Sequence, residues 1–501
     1  MSDVRGAVRH VLLCALLGVL LSACGQARND AINIGIPTAP LTLDPRYATD
    51  AMSARLSRLL HAALVEFDSS AQPQPGLAHW RRVTPTCYDF TLRDDARFSD
   101  GRALTAADVV ATYRAVLDPA LASPLRESLR NIAAVHALSG NTMRFELVAA
   151  DALFPATLTV GVMAQADARQ PRDAWQVASG AFTRDAWRPD GDVRLRRRSD
   201  GARVNVMVVK DATVRALKLI AGELDIAQGN LPPETIRWLA TRSALRVVEH
   251  AGTTVSYLGF NLREPALADR RVRLAVSHAI DREAIVHYLF RDLAHAAAGL
   301  LPPAHWASAD DVAVPAYDPA LARRLLRDAG YADKRLRLYY KTSADAFRVR
   351  LATLLKSELA EVGVELVIES LDFATFYADV GAGRFQLYGL SWVGLKSPDI
   401  FRQAFHSASS PPAGLNRGHY AEPELDRLLE AAEAAGDSAQ RAPLYHAIAR
   451  RLLYDAAYVP LWFETQTAVL RDDIDGYVID ADGSFDGLKQ VRRVSSRDET
   501  H

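Results

Sequence analysis

The sequence predicts an α/β protein built in two or three lobes. Segments whose apolar residues alternate with period two are interleaved with segments whose apolar residues recur every three or four positions, the pattern of strands alternating with helices. At 501 residues the chain is also far longer than one hydrophobic core usually serves. A hydrophobic content of 49% with 24% charged residues fits a folded globular chain. The 59 Lys and Arg residues nearly cancel the 60 Asp and Glu residues. So balanced a chain has no field with which to gather nucleic acid or anionic lipid by charge alone.

The elements follow in order. Residues 31–36 alternate as Ile-Asn-Ile-Gly-Ile, a strand that Pro37 and Pro40 end. A helix is expected over residues 53–65, a Pro-rich turn over 72–76 and a strand over 88–92. Ser99-Asp100-Gly101 is a tight-turn signal, and Thr105-Ala106-Ala107-Asp108 has the spacing of a capping box. The helix behind it is expected to bury Val109, Val110, Tyr113 and Val116. Asp269 caps a helix with Val272, Ala275, Val276, Ala279 and Ile280 on one face. Asp318 and Pro319 open another that runs to Gly330. Strand patterns follow at 336–340, 364–368 and 387–390. The basic run 194–198 alternates with apolar residues and reads as one solvated strand face, and 406–418 reads as a soft loop.

The amino terminus carries a separate message. Arg5, Arg9 and His10 precede an apolar stretch over residues 11–21, about half the roughly 20 residues that a membrane span needs. It therefore reads as a cleaved secretion signal of residues 1–23. The following Leu21-Ser22-Ala23-Cys24 resembles the bacterial lipobox, which implies diacylation of Cys24 and a domain tethered to a membrane face rather than spanning it. Of the three cysteines, Cys14 lies in the leader, Cys24 at the lipobox and Cys87 at a strand start, so no disulfide pair is expected. Cys87 is read as a buried, inert thiol.

Catalytic and metal-binding spacings do not occur. The chain has no His-Glu-x-x-His, paired Cys-x-x-Cys, Walker loop or Gly-x-Ser-x-Gly elbow. The 13 histidines are scattered, with His406 and His419 read as solvated loop residues. Asp225, Asp281 and Asp399 are read as caps. No enzyme, cofactor or metal site is expected.

Motifs in sequence order supply a positive reading. Thr42-Leu43-Asp44-Pro45, Pro75-Gly76-Leu77-Ala78-His79-Trp80, the stretch from Phe90-Thr91-Leu92-Arg93 through Phe98-Ser99-Asp100-Gly101 to Asp108-Val109, and Gly222-Glu223-Leu224-Asp225 resemble landmarks of one family. So do Phe260-Asn261 and Ala279-Ile280-Asp281-Arg282. That family is the family 5 extracellular solute-binding proteins, the oligopeptide and dipeptide receptors of bacterial ABC importers. Ser179-Gly180-Ala181-Phe182 stands at its Gly-Pro-Tyr or Gly-Pro-Phe turn, with Ala181 a departure.

The resemblance implies a two-lobed periplasmic-binding-protein-like fold with an extra inserted domain. Lobe I would take residues 31–66, 180–252 and 467–491, the inserted domain 67–179 and lobe II 253–466. Hinge crossings would fall near 253–261 and 460–466. The implied function is a lipid-anchored receptor in the periplasm or cell envelope, acting as a monomer. It would capture a short peptide in the interlobe cleft and deliver it to an ABC permease, with no nucleic-acid partner. Alternatives are a non-peptide solute, such as a nickel complex or a sugar, and a sensor that presents its ligand to a signalling protein. Trp392 matches a tryptophan the family places in the pocket wall, and Tyr257 and Trp462 are expected as hinge-side aromatics. Asn416 and Arg417, in a Gly-bounded loop, complete the expected ligand-binding set, with Arg417 suited to clamp a carboxylate in two parallel bonds. One departure bears on the cargo: the family's peptide receptors hold the ligand's α-amino group with an aspartate where this chain has Leu395. A leucine cannot pair an ammonium ion. Asp399 nearby, or main-chain bonds along an exposed strand edge such as 38–42, are the expected substitutes.

Overall fold

The computed structural model describes residues 31–188, 191–309, 311–411 and 414–494. The leader, Cys24 and most of the tail after Val491 lie outside the described residues. No described helix is long and apolar enough to cross a membrane.

An eleven-stranded sheet forms the frame. Its order is Val364–Leu371, Leu336–Ser343, Leu387–Trp392, Leu245–Phe260, Tyr458–Arg471, Ile226–Gln228, Ile32–Ile36, Arg203–Val208, Val193–Arg197 and Phe182–Trp187, with Ala294–Ala296 paired off this path to Tyr458–Arg471. The Ile32–Ile36 strand lies parallel to both neighbours, and Leu336–Ser343 lies parallel to Val364–Leu371. Parallel neighbours need a long crossover, and the Ala346–Glu361 helix supplies it in the second half of the sheet.

Two long strands join the halves. Leu245–Phe260 and Tyr458–Arg471 pair antiparallel almost from end to end, and their register breaks between His250 and Thr254. Gly252 sits in that break, where a Cβ would stand 2.0 Å from the Glu464 carbonyl oxygen, so only glycine allows the two backbones to approach this closely. One apolar core holds Ile34, Leu56, Phe182, Val206 and Phe485. Another, across the break, holds Phe260, Val276, Leu338, Leu355 and Trp462.

Residues 78–147 contribute a smaller body, an antiparallel sheet in the order Ala78–Thr84, Cys87–Leu92, Thr142–Leu147, Ile132–Ala137. The Ala106–Leu117 helix packs on it, burying Val109, Val110, Tyr113 and Val116 with Phe90, Phe145 and Phe154. Its capping box is formed as the spacing predicts, with the Thr105 N–H and hydroxyl both donating to Asp108.

Several local expectations are corrected. The first helix spans Ala51–Leu60 with Asp50 as its cap, and the residues expected to extend it instead enter a short strand, Val65–Phe67, paired with Pro73–Pro75 where a turn was expected. Residues 37–42 form no strand, and the Thr42 hydroxyl and Leu43 N–H donate to Asp173. In the basic run Arg194 and Arg196 are solvated, but Arg197 is buried and donates to the Leu488 and Val491 carbonyls. Cys87 is half-buried at the end of its strand. Asp281 caps its helix, whereas Asp225 accepts from Asn33 N–H and pairs with Arg493, and Asp399 makes no side-chain cap bond. His406 is buried, 3.4 Å from the Glu430 carboxylate, and is not a solvated loop residue.

Candidate functional site

The Leu387–Trp392 strand lies between a parallel and an antiparallel neighbour, and its end reaches the register break of the long strands. Val255 stands opposite Trp392, so Tyr257, two residues on, meets Trp392 diagonally on the same face. Their rings stack 5.7 Å apart at an interplanar angle of 6°. Tyr388, also on this face, meets Tyr257 edge-on at 5.8 Å. Gly259 makes room for it, because a Cβ there would stand 2.3 Å from the Tyr388 ring.

Asn416 and Arg417 reach the same cluster from their loop with different tasks. Asn416 is buried and fastens the loop, its amide donating to the His406 and Tyr420 carbonyls and its oxygen accepting from the Tyr420 N–H. Arg417 is 5% exposed, and its guanidinium lies 5.5 Å over the Trp392 ring and 5.1 Å over that of Tyr377. It donates to the Tyr377 hydroxyl at 2.8 Å and to that of Tyr257 at 3.5 Å. Burial pushes the Tyr257 phenol well above its usual range, so it faces Arg417 as a neutral group. The result is a buried cation held by aromatic faces and neutral oxygens.

Trp462 does not join this cluster. It stands opposite Ser256, whose side chain points to the other face of the strand from that of Tyr257. Its indole is fully buried, 5.0 Å from Phe290, in the second-half core. Alternation across the irregular pairing at residues 256–257 decides this, and the sequence pattern Val-Pro-Leu-Trp carried no sign of it.

Beyond Trp392 the chain crosses to the first half of the molecule. The Leu395 N–H donates to the Thr253 carbonyl, and Lys396 Nζ lies 2.5 Å from the Asp482 carboxylate. Arg58 approaches Asp482 at 3.4 Å and Asp486 at 3.0 Å. Burial alone would push the Asp482 carboxyl up, but Lys396 and Arg58 hold it below the usual range. Lys396, Asp482 and Arg58 were missed by sequence reasoning, since nothing local marks residues so far apart as partners. Next to them is a cavity of about 550 Å³, lined by both halves and the small body, including Arg58, Glu66, Phe67, Arg97, Gly180 and Lys396. Among the described residues no group of three or more His, Cys, Asp or Glu side chains is placed to hold a metal ion.

A sheet in two halves joined by two long strands, with a cavity lined by both halves and the small body, is an architecture in which a small ligand can be held between lobes. The model of the bacterial extracellular solute-binding proteins, family 5, matches residues 72–411, and the chain belongs to that family. A probable di/tripeptide-binding protein 5 of Pseudomonas aeruginosa is 28% identical over 469 residues, which cover 84% of this chain and 88% of that protein. The peptide transport periplasmic protein SapA of Salmonella typhimurium is 28% identical over 446 residues, 81% of each. Among solved structures, the substrate-binding protein CtaP of Listeria monocytogenes superposes with a TM-score of 0.83 at 22% identity, covering 93% of this chain and all of that one. The DppA periplasmic binding protein of Helicobacter pylori, in complex with the peptide STSA, gives 0.76 at 22% identity, over 93% of this chain and 98% of that one. The fold is that of the periplasmic binding proteins. The protein is a solute-binding receptor of the ABC-importer type and not an enzyme.

Proposed function

We propose that this protein is a lipid-anchored receptor that captures a short peptide in the cleft between its lobes and hands it to an ABC permease. Residues 31–66, 180–252 and 467–491 act as lobe I, residues 67–179 as an inserted domain and residues 253–466 as lobe II, with the register break at Gly252 as the hinge. Peptide cargo is supported by the di/tripeptide-binding relative from Pseudomonas aeruginosa, which matches over most of both chains. The single observation that carries the site is the stacked Tyr257–Trp392 pair with Arg417 against it, at the end of a strand that reaches the hinge. Trp392 offers an aromatic wall to a ligand lying along residues 391–395, and the buried Arg417 holds that ring from within. Asn416 and Trp462 act from behind, as loop fastening and core. Anchoring rests on Cys24 following the apolar leader, and a receptor that docks by one face works as a monomer.

A second reading, a non-peptide solute, is favoured by one observation: Leu395 occupies the position where an ammonium ion would need a carboxylate. Native mass spectrometry of the soluble form beginning after Cys24, followed by denaturation, tests both. Co-purified short peptides are the expected result, and a single non-peptide solute overturns the peptide reading. Anchoring is tested by incorporation of labelled fatty acid, which is expected in the full chain and lost in Cys24→Ser.

A further inference from the structure

Strand direction locates the gap between the halves. The Leu387–Trp392 strand runs from its pairing with Phe260 towards Val255, so it and its parallel neighbours Leu336–Ser343 and Val364–Leu371 end facing the break at 250–254. From the other half, Ile226–Gln228 runs from Leu470 towards Ala468 with Ile32–Ile36 parallel to it, and these strands end facing the same break. Residues just beyond the carboxyl ends of both sets therefore border one gap, the place where open parallel sheets bind ligands. Four of them are large, apolar and exposed: Leu41 at 69% in the first half, and Phe373 at 61%, Tyr377 at 45% and Val393 at 63% in the second. Single exposed apolar side chains are ordinary, but their convergence on one gap is not.

Two of the four are also held in place. Asp372 caps the Phe373–Gly381 helix by accepting from the Thr375 N–H, which sets Phe373 in the first turn and Tyr377 one turn on. Their rings stack 5.8 Å apart at 23°. Tyr377 is fixed in turn by the bond from Arg417, whose guanidinium lies over both the Tyr377 and the Trp392 rings. The exposed stack is thus continuous with the Trp392 wall through one buried cation. Asp379, on the same helix, pairs with Lys341 and Arg384, so what this edge presents is ring faces and not unanswered charge.

We infer that the Phe373–Tyr377 stack is a side-chain subsite of the interlobe cleft, and that it selects peptides carrying an aromatic or large aliphatic side chain over peptides of small and polar residues. The inference rests on the peptide reading above and names the class of peptide. A ligand ring laid on Phe373 takes apolar area on both partners out of water and adds an aromatic contact. Because the two protein rings are already stacked and Tyr377 is fixed through Arg417, little side-chain freedom is lost on binding. Leu41 borders the gap from the first half, and closure brings that edge towards the stack. A ligand side chain covered from both halves binds the closed arrangement better than the open one, which is what a shift in population requires.

The test is equilibrium dialysis of the soluble receptor against a pooled library of di- to pentapeptides, with bound and input pools compared by mass spectrometry at low and at about 0.5 M salt. Peptides containing Phe, Tyr, Trp or Leu are expected to be enriched about fivefold or more over peptides made of Ser, Thr, Gln and Gly, and to stay enriched at high salt because the contact carries no charge. In Phe373→Ser the enrichment is expected to fall below about twofold, with the melting temperature moved by only a few degrees because the ring is exposed. Phe373→Tyr keeps a ring and is expected to keep the enrichment. Equal retention of apolar and polar peptides, or an enrichment that Phe373→Ser leaves unchanged, overturns the inference and leaves the peptide reading standing. Retention of no peptide overturns the peptide reading, and the inference with it.

Discussion

At the scale of single residues, burial and not charge count decides what each polar group does. His61 is fully enclosed beside the edge of Trp175, its ring nitrogens without hydrogen-bond partners among the described residues, and burial lowers its pKa to about 4. A histidine whose folded pKa lies below its unfolded value near 6.5 contributes stability fully above pH 6.5 and loses it as pH falls toward 4. His61→Leu removes that dependence. Its stability relative to wild type, from denaturant unfolding, is therefore expected to rise by about 1–3 kcal/mol between pH 7.5 and pH 4.5. A gap that stays constant with pH overturns this account. Asp108 is the opposite case. Although burial pushes its carboxyl up, bonds from Thr105 and Arg102 and the Gln165 N–H hold it below the usual carboxylate range. Asp108→Ala leaves those donors behind and is expected to cost about 2–4 kcal/mol at pH 7, with the loss shrinking at acid pH as the wild-type carboxylate itself becomes protonated. Trp392 is half-buried, so Trp392→Ala is expected to weaken peptide binding at least tenfold by calorimetry while moving the melting temperature by only a few degrees.

At the scale of elements, the two long strands are the part on which the rest depends. A strand pair that runs through both halves of a sheet is stiff except where its ladder is interrupted, and here the longer of the two interruptions is the break between His250 and Thr254. Gly252 lies against the Glu464 backbone with no room for a methyl group. Gly252→Ala therefore has to push the strands apart, and a loss of about 2 kcal/mol or more is expected, with faster hydrogen exchange confined to residues around 250–254 and 464–466. Unchanged exchange there would mean that the break is not the flexible point. The Leu387–Trp392 strand shows how one element serves two purposes. Leu387 belongs to the second-half core, while Tyr388 and Trp392 face the Tyr257 cluster.

At the scale of the whole molecule, ion pairs cross between the halves, and on the proposed reading they favour the closed form over the open one. Lys396 to Asp482, with Arg58 on the same carboxylate, joins a loop of the second half to the first. Both side chains of the first pair are about three-quarters buried or more, so removing one partner leaves a charge whose desolvation is no longer offset. Lys396→Met is expected to shift the unliganded protein toward the open form, seen as a larger radius of gyration in solution scattering, and to raise the concentration of peptide needed for closure. An unchanged radius in both states would show that this pair contributes nothing to closure.

By itself the sequence determined the class of protein. Local signals, the Thr105 capping box, the caps at Asp269 and Asp318 and the strand alternation at 336–340 and 387–390, fixed element type because helix and strand periodicities are properties of neighbouring residues. Motif order then identified the family, and the aromatic pair Tyr257 and Trp392 was visible as candidates. What only the tertiary structure decided was the company each residue keeps. Arg417 and Asn416 read as ligand-binding residues of a loop and are buried, Trp462 read as hinge-side and lies in the core, and Lys396 carried no signal although it crosses the molecule to Asp482. The reason is the same in each case. Strand register, a one-residue shift of which reverses every side chain, and contacts between distant segments are set by packing of the whole chain and leave no trace in local spacing.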